Sequence, residues 1–366
     1  MSVEREPALL KAEMFHARWR RDGLPLRERI LSNVDLLGKL GCLMPRLTNR
    51  LLGSKAARVA MEKTIGISTR RSLPDYASER FDKWFSRHCR VSVSDAEAFH
   101  RNALQKRGKV ILWDDTFVRY HEPHIGMAAV KVLEALGFEV ALVKNRRCCG
   151  RPAFSQVNLG AAAKLAQHNI SQLLVRRSLG EGGSSLHHSP GRRSIGEGGT
   201  TPVLFLEPSC WSMFVEDYRE LKIENAENIA GRCFLFEKFV ADLLAQEPEA
   251  LLFKHESRSR GILIHPHCHA KSILNPAFMA TLAERLPGRK ATMLDTACCG
   301  MAGAFGALTE KYDLSLQVAQ RLLDQIDNQP RGTEVIASGT SCRHQITDLT
   351  SIRPKHIAEL LAEALV

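Results

Sequence analysis

A chain of 366 residues is long enough for two or three domains with their own hydrophobic cores. Its 44% hydrophobic and 25% charged residues are ordinary for a globular protein. It has no apolar run of about 18 residues, so no membrane-spanning helix is expected. Its ten cysteines come without a signal peptide, which argues against a disulfide scaffold and for metal or redox chemistry in the cytoplasm.

The net charge of +11 lies in the N-terminal third of the chain. Residues 1–110 carry 23 Lys and Arg against 12 Asp and Glu, and the remainder has 28 of each. A basic region suits nucleic acid or an anionic membrane, but these arginines are dispersed and no nucleic-acid motif accompanies them. We therefore expect no nucleic-acid partner. The region is interpreted as a basic helical surface that meets an acidic partner domain, with peripheral membrane association as the alternative.

Residues 1–108 are predicted to be a helical, basic connector. Amphipathic patterns cover residues 8–21 and 26–40, and another helix is predicted from Phe81. Aromatic residues are too few here for a self-sufficient domain. Two cysteines of this segment stand apart from all others and are interpreted as structural: Cys42 and Cys89.

From Lys109 onward, short apolar runs alternate with helical stretches, which is typical of an α/β fold with a parallel sheet. The series occurs twice, and each series carries a Cys-Cys-Gly sequence after its second strand. The predicted strands cover residues 110–113, 138–143 and 203–206 in one series and 262–264, 291–294 and 335–337 in the other. The pattern indicates an internal duplication, and we predict two pseudo-repeated lobes with parallel strands behind a helical basic arm.

The predicted boundaries are a first repeat over residues 109–222, a helical bridge over 223–260 and a second repeat over 261–366. Residues 176–200 are rich in glycine and serine and contain the sequence Arg-Arg-Ser-(Leu/Ile)-Gly-Glu-Gly-Gly twice. This composition predicts a flexible inserted loop. Such an insert explains why 61 positions separate Cys149 from Cys210, whereas 43 separate Cys299 from Cys342.

The second repeat brings four thiols from three loops to one edge of its predicted sheet, where open α/β sheets bind ligands. These are Cys268, Cys298, Cys299 and Cys342. Four thiolates suit an iron–sulfur cluster or tetrahedral zinc. Adjacent cysteines are awkward for a single ion because neighbouring side chains diverge, whereas they can bind different irons of a cluster. A metal-free group of buried cysteines is the alternative.

Glycine and histidine residues accompany these thiols. Gly300 allows close approach of the backbone to sulfide, and Gly150 is its counterpart in the first repeat. Three histidines surround Cys268 at a spacing of two, which on a strand puts them on one face: His265, His267 and His269. They can bind metal, donate to sulfur or transfer protons, and packing with hydrogen bonding is the favoured interpretation.

The first repeat has one thiol fewer. Its matching cysteines are Cys148, Cys149 and Cys210, and the position of Cys268 corresponds to Asp115–Thr116. Either a carboxylate or water completes a metal site here, or this repeat holds no metal. A site of three cysteines with an open position would suit substrate access or a labile cluster.

These sequences resemble the cysteine-rich CCG domain. That domain occurs in heterodisulfide reductase, in the iron–sulfur subunits of anaerobic glycerol-3-phosphate dehydrogenase and glycolate oxidase, and in lactate-utilisation proteins. The resemblance is closer to the C-terminal part of large FAD-linked oxidases. The segments that carry it are residues 148–152, 207–210, 265–269, 298–306 and 339–343.

The resemblance implies electron transfer from a 2-hydroxy acid (lactate, glycolate or 2-hydroxyglutarate) through FAD and iron–sulfur centres to an acceptor. It implies a cluster, of the 4Fe-4S type, on the seven repeat cysteines. The sequence contains neither a flavin-binding domain nor a CxxCxxCxxxCP motif, so FAD and a ferredoxin-like domain are expected on partner chains. Met1 falls just past the point where such a ferredoxin-like domain would end. The chain is thus expected to be a subunit or a fragment of a split gene that is inactive alone.

Two rival interpretations remain at this stage. One is a zinc-stabilised or metal-free scaffold that binds partners without a redox role. The other is a thiol redox protein in which Cys298 and Cys299 form a strained vicinal disulfide.

Overall fold

Two parallel β-sheets form the centre of the computed structural model, which describes residues 5–94, 107–179, 201–255, 260–330 and 332–366. The first sheet has the strand order β2-β1-β3-β4 and the second has the order β6-β5-β7. Every pairing within the two sheets is parallel. The strands are β1 Lys109–Trp113, β2 Glu139–Leu142, β3 Val203–Phe205, β4 Cys233–Leu235, β5 Arg260–His265, β6 Arg289–Met293 and β7 Glu334–Ala337.

Helices precede the first sheet and connect the strands of both. The arm contains α1 Arg5–Asp22, α2 Leu26–Ser32, α3 Val34–Gly41, α4 Pro45–Leu52, α5 Lys55–Ile65 and α6 Phe81–Ser94. The first repeat and the bridge contain α7 Thr116–Tyr120, α8 Pro123–Ala135, α9 Arg151–Ser155, α10 Leu159–Leu179, α11 Pro208–Ser212, α12 Ala226–Ala230 and α13 Phe236–Gln246. The second repeat contains α14 Cys268–Ile273, α15 Ala277–Ala283, α16 Tyr312–Asp327, α17 Thr340–Leu349 and α18 Ile357–Ala364.

Continuous apolar runs make the central strands. The residues of β3 are all buried, and those of β1 are buried after Lys109. A parallel strand covered by helices on both faces needs such a run rather than alternation. The predicted α/β fold with parallel strands is confirmed by these sheets.

The structure contains a strand that the sequence patterns do not indicate. The predicted helical bridge over residues 223–260 includes Cys233–Leu235, but these residues form β4 and pair with β3, with Val203 opposite Cys233. The helix itself begins at Phe236. Three residues are too few to display a periodicity, so only the neighbouring strand reveals this assignment.

The two repeats share one hydrophobic core. Leu112 of β1 and Ile264 of β5 are fully buried in the same cluster. The C-terminal helix α18 of the second repeat packs along α8 of the first. The lobes are therefore joined by buried apolar surface as well as by the bridge.

The arm packs against both repeats. Gly38 lets α3 approach α7 closely, because a Cβ at this position would overlap ring atoms of Tyr120. Ile67 forms an antiparallel bridge with Leu308 of the second repeat. The predicted helix over 26–40 is interrupted at Asn33, which separates α2 from α3.

The inserted loop lies largely outside the described residues. Helix α10 continues to Leu179, and residues 180–200 are not described. Among the residues that are described, no helix combines the length and the apolar character needed to cross a membrane.

Buried Glu237 gives the fold a measurable pH dependence. Its side chain is 1% exposed and burial raises the pKa of this carboxyl to about 7, with Glu207 adding repulsion. The folded state thus favours the protonated acid, so protonation of Glu237 stabilises the fold. This stabilisation is complete below the ordinary pKa of a carboxyl and is lost as the pH rises through 7. Between pH 5 and pH 8 we expect the free energy of unfolding of the wild type to fall by about 2–3 kcal/mol through this group. Glu237→Gln should not show this loss.

Urea unfolding of both proteins at pH 5 and pH 8 measures this difference. The exposed Glu249 lies in the next segment and provides the control. Glu249→Gln should follow the wild type at both pH values. An equal pH dependence in Glu237→Gln and the wild type would contradict the assignment.

Candidate metal centre

The four thiols of the second repeat follow the carboxyl ends of its three strands. β5 ends at His265, and Cys268 is the first residue of α14. Cys298 and Cys299 lie in the loop after β6, and Cys342 lies in the first turn of α17 after β7. Parallel strands place these three loops at one edge of the sheet, so residues far apart in sequence meet there.

The thiols contact one another in series. Side-chain interactions join Cys268 with Cys298, Cys298 with Cys299, and Cys299 with Cys342. The neighbouring Cys268 thiol lowers the pKa of Cys298, and the neighbouring Cys299 thiol lowers the pKa of Cys342. The same interactions, together with burial, raise the pKa of Cys268 and of Cys299. Several thiolates this close repel one another unless a cation compensates them.

An unpaired histidine nitrogen likewise indicates the need for a cation beside these thiols. The ligand atoms of His265, Cys299 and Cys342 lie within 4.8 Å of one another, and all three residues are buried. His265 Nδ1 contacts Thr296 Oγ1 at 2.8 Å, while Nε2 is buried without a hydrogen-bond partner. A thiol-rich donor set with an orphaned buried nitrogen fits a thiophilic metal centre, either iron–sulfur or zinc.

The glycine of each Cys-Cys-Gly sequence lies in the left-handed region of backbone conformation. Gly150 has φ +94° and Gly300 has φ +86°, a region that L-residues avoid. The Gly300 amide donates to Cys298 Sγ at 3.4 Å, and the Arg151 amide donates to Cys149 Sγ at 3.5 Å. Each glycine therefore turns the chain so that backbone N–H groups face sulfur.

His267 and His269 do not lie on a strand as predicted, because β5 ends at His265. His267 caps α14, with Nδ1 accepting from the amide of His269 at 3.1 Å. The two rings stack with centroids 5.4 Å apart, and His269 Nδ1 contacts Ser212 Oγ at 2.9 Å. Gly339 is required beside them, because a Cβ there would overlap the His267 ring.

The first repeat also brings its three thiols together, after the carboxyl ends of β2 and β3. Cys149 Sγ and Cys210 Sγ lie 3.0 Å apart, and the Cys148 side chain interacts with those of Cys149 and Thr116. Thr116 is the first residue of α7, the position that Cys268 has in α14. A hydroxyl thus stands where the second repeat has its fourth thiol.

Asp115 adjoins this group as the N-cap of α7, accepting from the amides of Phe117 and Val118 through Oδ1. Its Oδ2 is buried without a partner, and burial raises the pKa of this carboxyl to about 7.

Two residues that the sequence patterns did not indicate hold the first Cys-Cys-Gly loop. Asn169 of α10 is fully buried, donates to the Cys148 carbonyl at 2.9 Å and accepts from the Arg147 amide. Tyr218 donates to the Cys149 carbonyl at 2.7 Å. The position of an asparagine or a tyrosine within a helical pattern does not indicate that it holds a loop, because the loop it binds is about 20 or more residues away.

Glu207 connects the two cysteine sites. One carboxylate oxygen, Oε1, accepts from the Ser209 amide at 3.2 Å and caps α11, which carries Cys210. The other, Oε2, accepts from the Thr340 amide at 2.7 Å at the start of α17, which carries Cys342. A single buried carboxylate therefore fixes the first turns of both cysteine-bearing helices. In the sequence, Glu207 is visible only as part of a Glu-Pro-Ser-Cys segment.

A cavity of about 510 Å³ opens onto both sites. Apolar residues of the arm contribute to its lining, and so do six of the seven repeat cysteines: Cys148, Cys149, Cys210, Cys268, Cys298 and Cys299. The arm thus forms the outer wall of a space that the two thiol groups share.

Comparison with protein families supports the relationship that the cysteine pattern suggested. The model of the cysteine-rich CCG domain matches residues 116–176 and 262–347. One subunit of the anaerobic glycerol-3-phosphate dehydrogenase of Escherichia coli is 27% identical over 341 residues, covering 93% of this chain and 77% of the relative. Lactate utilization protein A of an Exiguobacterium species is 27% identical over 257 residues, or 66% of this chain and 92% of the relative.

A longer relative aligns along nearly the whole chain. D-2-hydroxyglutarate dehydrogenase of Pseudomonas putida is 24% identical over 356 residues, which are 96% of this chain. These residues make up only 31% of that enzyme. The alignment therefore concerns one part of a larger protein.

Proposed function

We propose that this chain, a protein with two cysteine-rich CCG repeats, is an iron–sulfur electron-transfer component of an FAD-linked oxidoreductase that oxidises a 2-hydroxy acid. The observation that carries the proposal is the series of four contacting thiols at one sheet edge with an unpaired His265 nitrogen beside them. The similarity to D-2-hydroxyglutarate dehydrogenase and lactate utilization protein A supports the substrate class.

In this proposal the second repeat binds a cluster of the 4Fe-4S type. Its ligands would be Cys268, Cys298, Cys299 and Cys342. When bound, such a cluster stores and passes on single electrons. His265 and the Gly300 amide lie against the sulfurs and would donate hydrogen bonds that stabilise negative charge.

The surroundings of these ligands would set how the site exchanges electrons. Cys299 and Cys342 are almost completely buried, and Cys298 and Cys268 are half-buried on the cavity side. The buried side excludes water and the cavity side leaves a short path for electrons. Glu207 and His267 hold α17 and α14 in register beside that path.

We propose that Cys148, Cys149 and Cys210 form a second, more labile site. Thr116 would contribute a hydroxyl in place of a fourth thiolate, which is a weaker ligand for iron. The position held by this hydroxyl would exchange readily, and Thr116 lies on the cavity that both sites share.

The proposed partners are a flavoprotein that holds FAD and a ferredoxin-like domain. We also propose that the arm rests on a membrane surface. Apolar residues at a spacing of four, on α3, on α4 and between them, are more than half exposed and form what we call the arm surface: Leu36, Leu40, Leu43, Met44, Leu47 and Leu51. Exposed Arg46, Arg50 and Lys55 flank it, as expected for contact with anionic lipid.

Iron and acid-labile sulfide, measured per chain after anaerobic purification, test the proposal together with EPR spectra. We expect about four irons with equal sulfide in the second repeat. Cys298→Ser should lose most of this iron, because serine oxygen is a poor substitute for a thiolate ligand.

Cys42→Ser provides the control. Cys42 is half-buried in the arm and its Sγ contacts the Tyr120 carbonyl at 3.4 Å, away from either thiol group. It should keep the wild-type iron content. Equal losses in the two variants would contradict the ligand assignment, and zinc in place of iron would favour a scaffold without redox function.

A further inference from the structure

Strand β2 is the outermost strand of the first sheet and has a free edge. Within the part of the chain that the structure describes, it pairs with β1 on one side only. The Glu139 amide donates to the Gly108 carbonyl, so the backbone groups of Glu139 face β1. Successive residues of a strand direct their N–H and C=O groups to opposite sides. Those of Val140 and Leu142 therefore point away from the sheet, and no described residue pairs with them through its backbone.

A groove of about 840 Å³ borders this edge. Eight consecutive residues, 140–147, line it, and α6 contributes Phe85 and Ser86. Phe85 and Val140 are both buried, so the groove has an apolar part beside the free backbone groups. None of its lining residues belongs to the cavity between the two cysteine sites. The groove is therefore a separate surface with its own chemistry.

The groove is also basic. Five cationic side chains and one carboxylate line it: Lys39, Arg119, Lys144, Arg146 and Arg147, with Asp82. Three of the cations are paired with carboxylates of the fold, and Asp82 is paired with Arg80. Lys144 and Arg147 are exposed, and neither forms an ion pair with another described residue. These two cations, just beyond the end of β2, are free to bind carboxylates of another molecule.

These features together select the kind of molecule that fits. A second copy of the chain would bring its own Lys144 and Arg147 to the groove, so that like charges would meet. A small anion would bind the cations but leave the backbone groups of Val140 and Leu142 unpaired. An extended polypeptide with carboxylate side chains provides partners for both, because its own backbone can complete the edge of the sheet.

We infer that the free edge of β2 is a docking site for an extended, acidic segment of a partner protein. The segment adds a strand to the first sheet through hydrogen bonds to Val140 and Leu142. Its carboxylates lie beside Lys144 and Arg147 and give the site its selectivity. A partner bound here leaves the cavity between the cysteine sites open, and its binding does not depend on a metal in either repeat.

An octapeptide of alternating glutamate and valine tests this inference, because it is acidic and valine favours an extended backbone. With a fluorescein label, its binding to the full chain is measured by fluorescence anisotropy. Lys144→Glu should weaken binding by about threefold to tenfold, since an attraction becomes a repulsion. Lys164→Glu makes the same change of charge on an exposed residue of α10 that does not line the groove, and it should bind as the wild type does.

Hydrogen exchange, followed by mass spectrometry on the same complex, shows whether the peptide pairs with the backbone. The amides of Val140 and Leu142 should exchange about threefold or more slowly with the peptide bound, because each then donates within the sheet. Absence of peptide binding, binding without this protection, or equal binding to Lys144→Glu and Lys164→Glu would overturn the docking site. Protection of the same amides in a dimer of the chain alone would also overturn it, because a second copy would then occupy the edge.

Discussion

Arg71→Met is expected to destabilise the protein by about 3–5 kcal/mol, because it removes one partner of a buried ion pair. Arg71 is 1% exposed, and its Nη1 lies 3.1 Å from Asp348 Oδ2. Its Nε donates to the Gly306 carbonyl at 3.1 Å. Both partners belong to the second repeat, so this one side chain fixes the arm to it. Methionine keeps most of the volume but leaves the Asp348 charge uncompensated.

The adjacent arginine provides a matched control. Arg70 pairs with Asp313 at 2.8 Å, but the two side chains are 56% and 74% exposed. Exposed pairs contribute about 0–1 kcal/mol, so Arg70→Met should unfold close to the wild-type urea concentration. Similar midpoints for the two variants would show that Arg71 does not anchor the arm.

Gly300→Ala is expected to cost about 2–5 kcal/mol, as the sum of a left-handed backbone and an overpacked contact. At φ +86° a Cβ would overlap the Ser315 carbonyl oxygen and stand 3.2 Å from the Ala319 amide nitrogen. Both atoms belong to the backbone of α16 and cannot turn aside. The loop that carries Cys298 and Cys299 must shift instead, so iron content should fall along with the urea midpoint.

Gly303→Ala separates the two contributions. Gly303 has φ +64° in the same loop, but a Cβ there would meet nothing within 4 Å. Only the cost of the left-handed conformation remains, about 1–2 kcal/mol. If the two variants lose the same stability, close packing against α16 is not what requires glycine at position 300.

Much of the architecture was predictable because it is local. Each central strand is an apolar run, and each Cys-Cys-Gly sequence follows the second strand of a repeat. In parallel strands this order alone brings Cys268, Cys299 and Cys342 to one sheet edge. The duplication and the similarity to CCG-domain proteins were likewise readable from spacing and motif.

Other features depend on residues that are distant in sequence. Glu207 caps α11, which begins at the next residue, but it also binds the Thr340 amide, 133 positions along the chain. β4 is recognisable only beside β3, and the arm, predicted to be a connector, is a wall of the central cavity through Leu37. Backbone amides at helix ends and apolar helix faces have no fixed partner in the sequence.

The sequence by itself therefore determined the two α/β repeats, the glycine turns and which thiols follow which strands, since each depends on propensity and spacing within a few residues. Tertiary structure alone decided how the repeats share a core, which carboxylate spans both thiol groups and what closes the space between them. The physical reason is that burial and hydrogen-bond satisfaction are optimised over the whole folded chain. A pattern of residues shows which groups need a partner, and only packing determines the partner they find.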